Sequence, residues 1–495
     1  MQFKTKLFGS YLSQGYVSVV GILILPYFSK ILGTEAYGVV SFYLMLQMWF
    51  SLLDLGVTPT ISREYARFKA GSLSAGEFLA RLSLLKKFFI GIGVIAAGAM
   101  FVFSEQIAGK WLKASAISTD RIVSLLHLIT LAIVIRWMGG VYKGIVLGAE
   151  RVHWLSIYNS AIASLRFLVV APVLWVFGQT IEVFFYWQVL VSIIELISVF
   201  FEMRRCIPHD DGQRVAIDKA KILKFSVSLA FTSSVWVLVT QIDKLLLSGI
   251  LPLSEYGDFS LSVMAASGVL MIIAPLGTVL MPLMARLHAE GKADEMKGVY
   301  RETTQVAIIF AGAITITLAL FSKDFLFAWT GNILLAEKCG RVLGYYAIGN
   351  GVMVASSFVY FLQFAYGNLK YHLVGNLIML LILVPAIVFG AIYFGGEGAG
   401  VSWMSVNLMY FFFWVTFSHK EICPGLLRPW MFNDIIILVF PTLLIASGVR
   451  VVFPSQNGRF ASLLMVLVVS IVCVLVASLC SSYVRLHVGR ILKKG

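Results

Sequence analysis

Long runs of apolar residues alternate with short polar segments along the whole chain. Windows of about 19 residues identify runs that match a membrane-spanning helix, which needs about 20 predominantly apolar residues. The runs lie near residues 8–32, 37–56, 86–104, 121–147, 153–178, 180–202, 225–250, 257–285, 302–327, 338–366, 370–394, 397–419, 432–453 and 460–484. This pattern predicts an all-α polytopic membrane protein with about 14 transmembrane helices (12 to 14).

The second half of the chain repeats features of the first half at an offset of about 219 residues. The matched pairs are Ile31-Leu32 with Ile250-Leu251, Tyr37-Gly38 with Tyr256-Gly257, Ala66-Arg67 with Ala285-Arg286, Gly148 with Gly367, and, two residues out of register, Asn159 with Asn376 and Phe177-Gly178 with Phe394-Gly395. A unit of six helices crosses the membrane an even number of times, so its copy starts from the same side. We therefore expect two bundles related by parallel pseudo-twofold symmetry.

The repeat divides the chain into four parts. We expect a six-helix lobe at 1–203, a cytoplasmic linker at 204–224, a second six-helix lobe at 225–420, and two additional helices with a cytoplasmic tail at 421–495. Duplicated bundles with a binding site between the copies are common among transporters. The repeat therefore indicates a transporter that works by alternating access.

The composition places the chain outside the soluble classes. Of the 495 residues, 59% are hydrophobic and 13% are charged, whereas soluble domains have about 25% charged residues. The formal net charge is +14, because 39 basic residues outnumber 25 acidic ones, and most of the basic residues lie in one set of alternate loops. The positive-inside rule places these loops and both termini in the cytoplasm. The positive charge therefore does not indicate a nucleic-acid partner.

No catalytic or metal-binding constellation stands out. The five cysteines contain no Cys-x-x-Cys pair, the seven histidines are scattered, and there is neither a P-loop nor a nucleophile elbow. The sequence therefore predicts a protein that is not an enzyme and has no cofactor or metal. A membrane-embedded ligase or polymerase would need a large periplasmic loop, and the longest predicted periplasmic segment is only 104–121.

Three basic residues inside predicted spans, Arg136, Arg166 and Lys244, are not assigned to any loop, whereas Lys143, near the end of the span 121–147, is assigned to a cytoplasmic loop. A charge at the bilayer centre costs at least about 2.5 to 3.5 kcal/mol, so each of them needs a hydrated cavity or a partner. Arg136 and Arg166 are near mid-membrane in adjacent spans, and a guanidinium group binds two oxygens of a phosphate or carboxylate. We expect both arginines to bind an anionic substrate. The alternative is that they pair with an acid such as Glu195.

Asp243 precedes Lys244 inside the seventh predicted span. Consecutive helical residues point about 100° apart, so we expect the two side chains to have separate partners. An intramembrane carboxylate is able to take up a proton or Na⁺, which makes Asp243 the candidate for coupling transport to an ion gradient. A structural pairing across helices is the alternative. Lys244 is expected to reach the nearer membrane interface.

A further group of charges lies at span ends and in basic loops. Asp54 ends the second span, in a position that suits a cytoplasmic salt bridge or gate. The loop at 63–87 is amphipathic and is expected to rest on the anionic inner leaflet. Structural or gating roles are expected for Asp54, Lys244, Glu195, Arg63, Arg67 and Arg286.

Short motifs in both halves resemble one known family. They are ILGTEAYG at 31–38, LDLG at 53–56, REYA at 63–66, QIDK at 241–244 and EYG at 255–257. Together they resemble the polysaccharide-transport branch of the MOP (MATE-like) flippase superfamily, over about residues 8–420. The fourteen predicted spans exceed the twelve that are often seen in O-antigen flippases of this branch.

The resemblance implies a Wzx-type flippase of the bacterial inner (plasma) membrane. Such a protein moves an undecaprenyl-diphosphate-linked oligosaccharide, an O-antigen or other surface polysaccharide unit used in lipopolysaccharide, from the cytoplasmic to the periplasmic leaflet. The implied partners are this lipid-linked oligosaccharide, membrane lipids, a proton or Na⁺, and the polysaccharide polymerase with its chain-length machinery. A multidrug/cation antiporter or a lipid II-type flippase of the same superfamily are the alternatives.

Overall fold

The computed structural model describes residues 2–207, 217–454 and 458–486, and in these ranges it consists of helices and turns without a β-strand. The chain divides into two compact units, Met1–Gly257 and Asp258–Gly495. The predicted all-α membrane class is confirmed.

The described residues contain eleven helices that are long and apolar enough to cross a membrane, or up to twelve if each bent pair is one span. The bent pair, Thr34–Leu52 and Val57–Lys69, turns by 49° at residues 53–56, where Gly56 adopts a left-handed φ of 70°. The stretch Lys370–Ile422 counts as one helix, although its backbone turns at Gly395 (φ 60°, ψ −145°). The sequence pattern places the end of one span and the start of the next at this turn.

The first unit is built around one central helix, α6. Its helices are α1 Gln2–Leu23, α2 Leu25–Leu32, α3 Thr34–Leu52, α4 Val57–Lys69, α5 Ala75–Val102, α6 Thr119–Gly148, α7 Val152–Ala163, α8 Val170–Phe177, α9 Ile181–Arg204 and α10 Lys219–Ile250, with a helical turn at Ser104–Gln106 and π-helical turns at Ile107–Trp111 and Ser164–Leu168. Helix α6 packs against α3, α4, α5 and α9. Its residues Leu125, Leu126 and Ile129 are completely buried.

Glycines allow α4 to lie directly on the C-terminal half of α6. A Cβ atom on Gly144 would lie 2.8 Å from the carbonyl oxygen of Thr58, and one on Gly148 would lie 2.5 Å from that of Ser62. Both separations are too short for a real Cβ contact, so larger residues would force the helices apart. This close crossing fixes the position of α4 along α6.

Helix α10 groups with the first unit. It packs against α3, α4 and α5, and Ser226 Oγ donates a hydrogen bond of 2.8 Å to the carbonyl oxygen of Leu55. The compact unit therefore extends to Gly257. The predicted lobes at 1–203 and 225–420 place α10 in the second half, and that assignment stays a prediction.

The second unit contains most of α11 and all later helices. These are α11 Leu253–Ser267, α12 Ile273–Ala289, α13 Ala293–Leu320, α14 Ser322–Thr330, α15 Ile333–Ala365, α16 Lys370–Met409, α17 Thr416–Ile422, α18 Ile437–Val452 and α19 Arg459–Cys480, with a 3-10 turn at Gly268–Ile272, a helical turn at Leu427–Pro429 and π-helical turns at Tyr410–Val415 and Trp430–Ile436. Helix α13 contacts α12, α15, α18 and α19. Helix α13 therefore packs both against helices of the second repeat copy and against α18 and α19, the last two helices.

Candidate functional site

A buried glutamate on α9, Glu195, is the meeting point of three basic side chains. Its Oε1 lies 2.6 Å from Lys143 Nζ, and its Oε2 lies 2.8 Å from Arg166 Nη2 and 3.5 Å from Arg136 Nε. Only 2% of the Glu195 side chain is exposed. A buried charge requires partners of this kind because an unpaired one is very costly. These four residues are called the Glu195 cluster below.

Arg166 is the most deeply buried cation of the Glu195 cluster. It lies in the π-helical turn Ser164–Leu168, and such turns are frequent at functional sites. Its Nη1 donates hydrogen bonds of 2.9 Å to the Tyr43 hydroxyl and to Gln188 Oε1. With 3% of its side chain exposed, Arg166 is held by neighbours on three sides and holds Glu195 in place.

Arg136 and Lys143 are the accessible cations of the Glu195 cluster. They lie seven residues apart on α6, so they share one face of the helix. Arg136 is 37% exposed and Lys143 29% exposed, and Arg136 Nη1 also donates a hydrogen bond to Gln47 Oε1. These two side chains are therefore more accessible to a ligand than Arg166 is.

The Glu195 cluster has a surplus of positive charge, because three cations surround one carboxylate and the formal sum is +2. Electrostatic attraction is stronger here than in bulk water because Glu195 and Arg166 are buried between helices. Guanidinium and ammonium groups are the usual partners of phosphate oxygens. The arrangement is therefore suited to an anion with about two negative charges.

The internal repeat shows that the helical scaffold does not require these charges. At the offset of 219, Arg136 corresponds to Ala355 and Lys143 to Leu362, and both counterparts are buried in an apolar core. At the later offset of 217, Arg166 corresponds to Leu383, which is completely buried. Equivalent helices of the second unit therefore pack with apolar side chains where the first unit has cations.

The sequence allows two roles for Arg136 and Arg166, anion binding or pairing with an acid, and in the structure both side chains pair with Glu195. Substrate binding by either arginine stays a prediction. Lys143 was missed because it was assigned to a cytoplasmic loop. The signal was present, since Lys143 falls inside the predicted span 121–147 and lies two helical turns from Arg136.

The expectation of separate partners for Asp243 and Lys244 was wrong. The two side chains form an ion pair, with Lys244 Nζ 3.4 Å from Asp243 Oδ1. Lys244 Nζ also donates a hydrogen bond of 3.1 Å to the carbonyl oxygen of Thr240, one turn earlier in α10. The flexible lysine stem folds back along the helix, which compensates for the angular separation of adjacent residues. Asp243 is 1% exposed.

Asp54 caps the start of α4. Its Oδ1 accepts hydrogen bonds of 2.6 Å from Thr58 Oγ1 and 3.2 Å from the Thr58 backbone N–H. In the part of the chain that the structure describes, these bonds take the place of the expected salt bridge. A gating role for Asp54 stays a prediction.

The predicted charges Arg63, Arg67 and Arg286 lie in two different surroundings. Arg63 and Arg67 approach the buried carboxylate of Glu64 on α4. Arg286, the repeat counterpart of Arg67, is 66% exposed and lies 3.8 Å from Glu290. The pKa of the Glu290 carboxyl lies below its ordinary value because it accepts a hydrogen bond from a neighbouring lysine.

Comparisons with known proteins agree with this architecture. A profile of the family described as "Polysaccharide biosynthesis protein" matches residues 4–288. The fold resembles the lipid II flippase MurJ in an inward closed conformation, with 13% identity and a TM-score of 0.71 over 95% of this chain and 97% of that one. No curated protein sequence matches the chain.

Two further structures have the same fold. An inward-facing multidrug resistance MATE family transporter of the MOP superfamily has 12% identity and a TM-score of 0.69, over 83% of this chain and 94% of that one. A MOP superfamily transporter from Pyrococcus furiosus, whose binding pocket is described as reversed in polarity, has 12% identity and a TM-score of 0.56, over 84% and 94%. The predicted resemblance to the MOP superfamily is therefore confirmed for the fold.

Proposed function

Because the chain belongs to the polysaccharide biosynthesis protein family, we propose that it is a flippase for an undecaprenyl-diphosphate-linked oligosaccharide. The cargo is an O-antigen or other surface polysaccharide repeat unit. It moves from the cytoplasmic to the periplasmic leaflet of the bacterial inner membrane by alternating access, and both termini of the protein are cytoplasmic. Its biosynthetic partners are the polysaccharide polymerase and chain-length machinery.

One observation carries the proposal, namely the formal charge of +2 on the Glu195 cluster. A diphosphate group brings about two negative charges and several oxygen acceptors, which Arg136 and Lys143 are placed to bind. The polyprenyl tail of such a cargo has no polar groups and stays in the lipid, so only the head needs a hydrated cationic path. The apolar counterparts Ala355 and Leu362 support a binding role, because the scaffold itself packs without the charges.

A multidrug/cation antiporter fits the same cluster poorly. A site for cations needs a surplus of carboxylates, whereas here one carboxylate is surrounded by three cations. The buried Asp243 is already paired with Lys244 and does not reverse this balance.

A lipid II-type flippase is the second candidate. The fold matches MurJ over 95% of this chain. Lipid II also joins a polyprenyl diphosphate to sugars, so the Glu195 cluster suits either cargo. The two candidates differ in the sugar and share the anionic head.

Asp243 is the proposed coupling residue for a proton or Na⁺ gradient. Its carboxylate is buried at 1% exposure on α10, and the ammonium group of Lys244 lies 3.4 Å away. A proton or Na⁺ that binds the Asp243 carboxylate would displace the Lys244 ammonium group from it. A structural ion pair is the alternative role.

Genetic complementation tests the proposed function. A strain that lacks its own flippase is given the wild-type gene or the Arg136→Gln variant, and surface polysaccharide is measured beside the level of membrane protein. Restored display by the wild type and lost display by the variant, at equal protein level, support the proposal. Failure of the wild-type gene in strains of both polysaccharide and lipid II pathways contradicts it.

A further inference from the structure

A second buried glutamate of the first unit, Glu64 on α4, is also surrounded by three cations. Arg81 Nη1 and Arg67 Nη1 lie 2.5 Å and 3.3 Å from its Oε2, and Arg63 Nη1 lies 3.9 Å from its Oε1. We propose that this Glu64 cluster is a separate binding site for a diphosphate group. The cargo occupies it before it reaches the Glu195 cluster, and it is called the outer site for that reason. The inference rests on the proposed function.

The local structure exposes two of these arginines and partly buries the third, Arg81. Helix α5 starts with a capping box at Ser74, which fixes the turn between α4 and α5 and brings Arg81 beside Glu64. Arg81 is 19% exposed, whereas Arg67 is 39% and Arg63 50% exposed. Arg63 and Arg67 are therefore the accessible cations, as Arg136 and Lys143 are in the Glu195 cluster.

The Glu64 cluster has more donors than its carboxylate is able to accept. Its formal charge is +2, the same as that of the Glu195 cluster. Among the described residues, the buried Nε–H of Arg81 has no hydrogen-bond acceptor. Buried donors are normally satisfied, so this N–H group shows that the cluster has fewer acceptors than donors.

The two clusters lie at successive levels of the same helix pair. Lys143 precedes Gly144, which contacts Thr58 at the crossing of α4 and α6. Glu64 is six residues beyond Thr58 on α4, or about 9 Å further along the helix axis. The Glu64 cluster therefore lies on the same pair of packed helices as Lys143, and the two clusters have equal formal charge.

The counterparts of the Glu64 cluster in the repeat indicate that the helices pack without these charges. At the offset of 219, Glu64 corresponds to Leu283 and Arg81 to Tyr300, so the second unit has no equivalent cluster. Only Arg67 keeps a basic counterpart, Arg286, which is exposed. The equivalent crossing in the second unit therefore forms without these charges.

Transport kinetics in phosphatidylcholine vesicles test the outer site. The full chain is reconstituted with a fluorescent polyprenyl diphosphate probe, and the initial rate of flipping is measured against the mole fraction of probe. For the double variant Arg63→Gln and Arg67→Gln we expect the half-saturating fraction to rise about tenfold with little change in maximal rate. The lysine double variant, Arg63→Lys and Arg67→Lys, should restore most of the wild-type value.

Two controls make the result specific. Arg121→Gln removes an exposed arginine that pairs with Glu182 at the other end of α6, and it should leave both kinetic parameters unchanged. Adding phosphatidylglycerol distinguishes a diphosphate site from one for bulk lipid phosphate. If the glutamine variants change only the response to phosphatidylglycerol and leave the half-saturating probe fraction unaltered, the outer diphosphate site is wrong.

Failure of the outer site is distinguishable from failure of the proposed function. Wild-type protein that moves the probe, with glutamine variants of unchanged half-saturation, overturns the outer site alone. Wild-type protein that does not move the probe overturns the flippase proposal and the outer site together.

Discussion

Lys143 and Arg166 bind opposite oxygens of the same carboxylate, that of Glu195, at 2.6 Å and 2.8 Å. Lys143 is 29% exposed, whereas Arg166 is 3% exposed. One glutamate therefore links a buried anchor to an accessible cation. This division predicts different consequences for substitutions within the Glu195 cluster.

Substitution of Arg136 should reduce transport without loss of protein. Arg136→Gln removes an accessible charge, while Glu195 keeps Lys143 and Arg166 as partners. We expect the flipping rate of a polyprenyl diphosphate probe to fall about 10- to 100-fold. Rates in proteoliposomes, normalised to reconstituted protein, measure this. A variant with the wild-type rate would remove Arg136 from the binding role.

Substitution of Arg166 should destabilise the first unit. Arg166→Met leaves Gln188 and Tyr43 without their cationic donor and removes the buried partner of Glu195. Breaking a buried ion pair costs about 3–5 kcal/mol. Thermal unfolding in detergent should show a clearly lower midpoint. The double variant Arg166→Met and Glu195→Gln should recover part of the loss, and no recovery would contradict the anchoring role.

Lys143 should contribute to charge recognition. Lys143→Gln keeps a polar side chain and lowers the formal charge of the Glu195 cluster from +2 to +1. We expect weaker binding of undecaprenyl diphosphate and a smaller effect on a monophosphate probe. Lys143→Arg is the matched control and should keep most of the affinity. Equal losses for both probes would argue against recognition of the second phosphate.

Asp243 should control the dependence on an ion gradient. Asp243→Asn removes the carboxylate that pairs with Lys244, so no ionisable acid remains at this position. Transport that responds to an imposed proton or Na⁺ gradient in the wild type should lose that response. Parallel assays with each gradient identify the ion. A variant that keeps the full response would assign Asp243 a structural role.

The last two helices should depend on polar anchors to α13 and α14. Asp434 accepts hydrogen bonds of 2.6 Å from Arg301 and 2.7 Å from Gln305, and Asp324 accepts one of 2.8 Å from Arg450. Both aspartates are almost fully buried. Asp434→Ala should therefore lower the thermal midpoint and expose the C-terminal helices to limited proteolysis. Lys292→Gln, at an exposed ion pair, is the control and should change neither measurement.

Apolar periodicity was sufficient to predict the membrane class because a bilayer imposes a minimum length on every span. The duplicated scaffold that the repeat predicts stays a prediction, while Gly148, at one matched position, is a contact point with α4. Both features depend on the local sequence or on regular spacing. They required no knowledge of which helices pack together.

The candidate site was only partly predictable, since ion pairs depend on how helices pack. Arg136 and Arg166 were recognised as intramembrane charges, but the convergence of α6 and α9 on Glu195 was visible only as one of two alternatives. Lys143 was missed because a basic residue near a span end resembles a loop residue. The Asp243–Lys244 pair was excluded on helical geometry that ignored the length of the lysine side chain.

The most direct test of the account compares two probes in the same proteoliposomes, a fluorescent polyprenyl diphosphate and the corresponding uncharged polyprenol. We expect the wild type to accelerate flipping of the diphosphate far more than that of the alcohol. We also expect the double variant Arg136→Gln and Lys143→Gln to lose this preference at an unchanged level of folded protein. Equal acceleration of both probes by the wild type, or an unchanged preference in the double variant, would contradict the role of the Glu195 cluster.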